Sequence, residues 1–271
     1  MTHYSYFVLS RFLCTPEYYM ESDRQLSKRE RVELNRVRAD AIRSNFLRIQ
    51  EQMKICIDCS FMDIMNDGER RSLAVQIQET YSHLRQVGGS NCQLFIASAN
   101  DWLISNLSAK GGDQWALHIH SDPINLVSES IESNILVLSP DATEELSIDE
   151  IRDTKNFFVI GGIVDRVVSR NETAHKAIRL GVRSRRIPIS EGIVRNRIFN
   201  IDSVAMFLMK AFNDEQLQTR DDLVNLLDQV LPDRKRGKLD YQPKKVRSER
   251  KDEEVGNTVK LDRYTLVELF R

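Results

Sequence analysis

The stretch FFVIGGIVDR, residues 157–166, decides how the rest of the chain is read. Its first four residues are uniformly apolar, the pattern of a strand buried on both faces of a parallel sheet. Gly161 and Gly162 follow, where the backbone is free to turn sharply and a ligand can approach the main chain. Asp165 comes three residues later, either as a cap for the next helix or as a positioned acid–base group, and spacing alone favours the cap. Ligands of open α/β sheets bind at the carboxyl ends of the strands, so chemistry is sought here first.

Working outward, KICIDCSF (54–61), CQLFIAS (92–98) and NILVLSPDA (134–142) read as three earlier strands, with 157–165 the fourth. RRIPIS (185–190) is a short strand or turn. Helical periodicity predicts helices over 72–87, ended by Gly88–Gly89, and over 173–182, ended by Gly181. Two more are expected over 201–212, with Asp202 or Ser203 near the cap, and over 220–231. Alternating strands and helices make a parallel α/β sheet flanked by helices, and residues 54–235 form one domain. Residues 1–53 are a basic helical extension. Within it Val32, Leu34, Val37, Ala41, Ile42, Phe46, Leu47 and Ile49 recur at helical spacing among arginines. Residues 236–271 are charged, poor in apolar side chains, and expected to form a flexible tail.

The formal net charge is −1, so the whole chain does not announce a polyanion partner, and the distribution of charge becomes the question. Between 166 and 197 lie Arg166, Arg170, Lys176, Arg179, Arg183, Arg185, Arg186, Arg195 and Arg197, against only Glu172 and Glu191 as acids. Such an excess is an electrostatic footprint for nucleic acid. Neither G-x-G-x-x-G nor a P-loop occurs, which disfavours a Rossmann-type nucleotide enzyme and leaves backbone groups and apolar side chains to hold a ligand. Ser60 lacks the setting of a serine nucleophile. His118 and His120 have metal-binding spacing, but no carboxylate or thiol completes a site, so no metal is expected. Cys14, Cys56, Cys59 and Cys92 are too scattered for a disulfide framework, which points to a reducing compartment. Cys56 and Cys59 sit in a strand as two small residues. No apolar run reaches the ~18–20 residues that span a bilayer. MTHYSYFVLSRFLC is a poor secretory signal and a weak presequence, so cytoplasm or nucleus is expected, with the mitochondrion left open.

IDCSFMDIM (57–65), LVLSPDA (136–142), FVIGGIVDR (158–166), RRIPI (185–189) and LPDRKR (231–236) occur in a particular order and at particular intervals. That set resembles the tRNA methyltransferases that modify N1 of the purine at position 9, a family of the SPOUT class, over about residues 54–236. The resemblance implies a SPOUT-type parallel sheet flanked by helices, with a C-terminal trefoil knot around S-adenosylmethionine. It implies a cofactor pocket of Leu138, Ser139, Gly161, Gly162, Thr173, Ile187, Phe199, Asn200 and Ile201. Asp165 falls on the family's general base, which would take the N1 proton of guanine 9, and the cations of 166–197 would grip tRNA. Adenine 9 is an alternative target, since its N1 carries no proton. A non-catalytic RNA-binding subunit of a tRNA-processing complex is the rival reading. The acidic 212–233 region suggests a helper protein for tRNA binding, and the family resemblance implies a monomer.

Overall fold

β-Branched and aromatic runs assemble into one sheet in which every pairing is parallel. The computed structural model describes residues 51–88, 91–164, 171–189 and 199–231, with isolated positions 27–29, 32 and 36. Its strands are β1 (Met53–Asp58), β2 (Cys92–Ala97), β3 (His118–Ile119), β4 (Asn134–Leu138), β5 (Asn156–Gly161) and β6 (Arg183–Arg185), in the spatial order β3-β2-β1-β5-β4-β6. Every residue of β1 and β5 is buried, which is why both read as unbroken apolar runs. The register sets Asp58 beside Gly161, and Leu138 beside both Ile160 and Arg185.

Seven α-helices flank the sheet among the described residues: α1 (Asp67–His83), α2 (Asp101–Ser108), α3 (Ile124–Ser130), α4 (Ile148–Arg152), α5 (Glu172–Leu180), α6 (Ile201–Asn213) and α7 (Arg220–Val230). Side chains alternate across a strand, and the core divides accordingly. Ile55, Ile57, Phe158 and Ile160 pack with α1 and α6 in one cluster, while Cys56, Phe157 and Val159 pack with Ile124, Val127 and Ala177 in another. Cys56 and Cys59 belong to different clusters, so the C-x-x-C pair is divided between layers; burial pushes both thiols well up.

Several boundaries differ from the sequence reading. α1 begins at Asp67 rather than 72, because Asn66 and Glu69 form a reciprocal capping box that carries the polar DGERR segment into the helix. β4 ends at Leu138, where the Ser139–Asp141 turn begins, and β5 ends on the first glycine of the pair, Gly161. The helices α2, α3 and α4 went unforeseen because they are short, and local caps such as Asn100 and the Ser147–Glu150 box specify them more than periodicity does. Of the basic extension, Lys28, Arg29, Val32 and Arg36 are helical and exposed. The chain divides into two units, Met1–Gly237 and Lys238–Arg271, and the second lies outside the described residues.

Candidate active site at the carboxyl crest of the sheet

Two glycines hold the crest together by lacking a side chain. A Cβ on Gly161 would lie 2.2 Å from Thr173 Cγ2, and one on Gly162 would lie 2.7 Å from the Asp58 carbonyl oxygen. Neither glycine has a positive φ. Both are positions of close approach: α5 packs onto the end of β5, and the Gly162 N–H donates to Asp58 O at 2.8 Å.

Hydroxyls join the adjoining strand to that helix. The Thr173 hydroxyl donates to Ser139 Oγ at 3.0 Å, and the same Oγ accepts from the Asp141 N–H at 3.3 Å. Ser139 N–H donates to Arg185 O at 2.9 Å, linking β4 to β6. Asn171 starts α5 at φ 65°, and its N–H donates to Asp141 Oδ2 at 3.2 Å. Ser139, Gly161 and Thr173 therefore meet at the ends of β4 and β5, next in sequence to Leu138, and Ile187 follows β6 two residues past Arg185. Phe199 and Ile201 join Leu138 and Ile187 in one apolar cluster. Gly162 faces β1 instead, and Asn200 is the N-cap of α6, with no side-chain capping bond. Asp165, Arg166, Arg170, Arg195 and Arg197 lie outside the described residues.

The structure adds a cluster that sequence reading missed. Asp58, with only 2% of its side chain exposed, pairs through Oδ2 with Lys176 Nζ at 2.5 Å. Lys176 also donates to Ser60 Oγ at 2.7 Å and sits 5.5 Å from the Phe61 ring centroid. The Ser60 N–H donates to Asp58 Oδ1 at 3.2 Å. A buried carboxylate is tolerated only when paired in this way. The signal available beforehand was an acid ending an otherwise apolar strand, KICID.

Three of the arginines expected to face RNA form ion pairs within the fold. Arg185 bonds Glu150 through Nε at 2.9 Å and Glu144 through an Nη at 2.6 Å, with 16% of its side chain exposed. Arg183 donates to Asn156 Oδ1 at 2.8 Å and pairs with Glu150 at 3.4 Å. Arg186 and Arg220 share Glu145, and hydrogen bonding from Arg220 holds that carboxyl below its usual pKa. The acids absent from 166–197 are thus supplied by residues 144–150. Arg179 is exposed, with no ion-pair partner among the described residues.

At the opposite sheet edge, His118 Nε2 lies 2.7 Å from Gln93 Oε1, and its ring stacks on Phe95 at 4.3 Å. Burial, reinforced by His120, pushes its pKa down to about 4, so the imidazole is neutral near pH 7.

These features define a parallel α/β protein whose candidate site is a crest of apolar and hydroxyl side chains at the strand ends, without a phosphate loop. The family model for tRNA (guanine(9)-N(1))-methyltransferase TRM10/TRM10A matches residues 17–236, and the chain belongs to that family. It is 30% identical over 155 residues to a tRNA (guanine(9)-N1)-methyltransferase of Candida glabrata, covering 56% of this chain and 53% of that one. It is 30% identical over 146 residues to tRNA methyltransferase 10 homolog A of Xenopus tropicalis, covering 53% and 42%. The chain thus spans about half the length of the relatives it matches. Its fold is that of spTrm10 (full length) crystallised with SAH: TM-score 0.55 and 23% identity, covering 66% of this chain and 95% of that one. The spTrm10(74) crystal structure gives 0.56 and 24%, covering 66% and 94%.

Proposed function

We infer that this protein is an S-adenosylmethionine-dependent methyltransferase acting on N1 of guanine 9 in tRNA. The observation that carries the reading is the meeting of Ser139, Thr173 and Gly161 at the carboxyl ends of β4 and β5, beside the apolar Leu138 and Ile187. Apolar walls with a few fixed polar groups suit an adenosine moiety, so the residues present fit the cofactor. S-adenosylmethionine supplies, when bound, an electrophilic methyl on a sulfonium. Leu138, Ile187 and Phe199 would wall the adenine, and the Ser139 and Thr173 hydroxyls would meet its polar edge. Asp165 would orient the purine and accept the N1 proton. A carboxylate is a far weaker base than the guanine N1 anion, so alignment would carry much of the rate.

A C-terminal trefoil knot is part of this reading, supported by β5 lying between β1 and β4 and by the likeness to the spTrm10 fold. So is a tRNA grip through exposed Arg179 and the basic 28–36 region, which would make affinity fall steeply with salt. Because Arg183, Arg185 and Arg186 are engaged by carboxylates, a helper protein would tighten the hold of a monomer of this chain on tRNA without being needed for turnover. Purified protein incubated with tRNA transcripts and labelled cofactor is expected to place label on N1 of guanine 9. Label elsewhere in the tRNA, or none, contradicts the reading.

A further inference from the structure

Lys176 is the one α5 side chain drawn into the β1 end of the crest. An ammonium carries three N–H donors. One goes to Asp58 Oδ2 and one to Ser60 Oγ, and no third acceptor meets it among the described residues. The side chain is 15% exposed, so it reaches solvent at the crest. It lies one helical turn from Thr173, the residue that touches Ser139 and packs on Gly161. Residues three apart on a helix are neighbours, ~5–6 Å between Cβ atoms. Asp58, Ser60 and Phe61 hold it in place, so it is a preorganised donor beside the cofactor residues.

We propose that Lys176 is the specificity-determining residue that selects guanine over adenine, by donating its third N–H to purine O6. The inference rests on the function given above. When guanine N1 takes the methyl, its N–H proton passes to a carboxylate or water, and the electron pair left behind is shared between N1 and O6. A fixed donor at O6 stabilises that charge as it develops. Adenine presents an amino group at the same position, donor against donor, and its N1 becomes cationic on methylation. A site built to bond one group rejects the analogue that lacks it. Asp58 balances the charge of Lys176, so discrimination comes from the direction of the N–H rather than from net charge.

Transcripts carrying guanosine, inosine or adenosine at position 9 test this with the full chain. Inosine keeps O6 and the N1 proton. Wild type is expected to methylate guanine and inosine alike, and adenine slower by about 10⁴-fold or more. Lys176→Met alone strands a buried carboxylate, so Asp58→Asn/Lys176→Met carries the test, with S-adenosylhomocysteine affinity by calorimetry reporting an intact crest. The double variant is expected to lose about 10²–10³-fold on guanine and inosine without a fall on adenine. Asp58→Asn alone should keep the guanine preference. Equal losses on all three bases with cofactor affinity retained overturn the proposal, as does a wild type that methylates adenine as fast as guanine. A wild type that modifies no transcript at position 9 overturns the underlying function as well.

Discussion

Two charge clusters of the same sheet, one at β1 and one beside the edge strand β6, are built on opposite plans. At the β1 crest the Asp58–Lys176 pair is nearly closed to water, and among the described residues one Lys176 donor stays in reserve. Beside β6, Arg183, Arg185, Arg186 and Arg220 are laced to Glu144, Glu145 and Glu150, with Arg185–Glu150 shielded and Arg183, Glu144 and Arg220 exposed. The first couples structure to chemistry, because the backbone of the same Asp58 receives the Gly162 N–H. The second ties β6, α4 and α7 together while cancelling much of the basic excess that the sequence displays. Charge counted along a chain is therefore not charge available in space.

Breaking the pairs one at a time should separate the two plans. Lys176→Met leaves Asp58 buried and alone, and is expected to cost about 3–5 kcal/mol in denaturant unfolding. Gly161→Ala forces a methyl against Thr173 and should cost about 1–3 kcal/mol. Adding Thr173→Ser, which removes the offending Cγ2, should restore much of that loss, and a Gly161→Ala protein as stable as wild type would discredit the close-approach account. Arg220→Ala, in the exposed cluster, should cost no more than about 1 kcal/mol. An effect as large as that of Lys176→Met would erase the contrast.

A pH-dependent effect lies at the far edge. His118 is held neutral in the fold with its pKa near 4, whereas the unfolded chain titrates near 6.5. Between those values the unfolded state binds more protons, so stability is present above pH 6.5 and declines as pH falls toward 4. Thermal melts at pH 7 and 5 should differ less for His118→Gln than for wild type. The Glu145 carboxyl, also held low, acts in the same direction but only below its ordinary value of 4.5.

How much of this was legible follows from where each feature is encoded. β1 and β5 were plain because burial on both faces leaves an apolar run. β3, two residues long, and the short α2, α3 and α4 lack a period long enough to register. The glycine pair was legible as a special position, but its reason was not, since Thr173 arrives from the next helix. Lys176 resembled another phosphate contact because its partner Asp58 is 118 residues away in sequence. The carboxylates that hold Arg183, Arg185 and Arg186 likewise come from a separate segment, which no local charge count includes.

The central claim places the cofactor at the ends of β4, β5 and β6. Hydrogen exchange of the full chain with and without S-adenosylhomocysteine tests it most directly. Added ligand is expected to slow exchange at Leu138, Ser139, Gly161 and Ile187, leaving Gln93 and His118 unchanged. No slowing at the first four amides, or slowing confined to the β2–β3 edge, would contradict it.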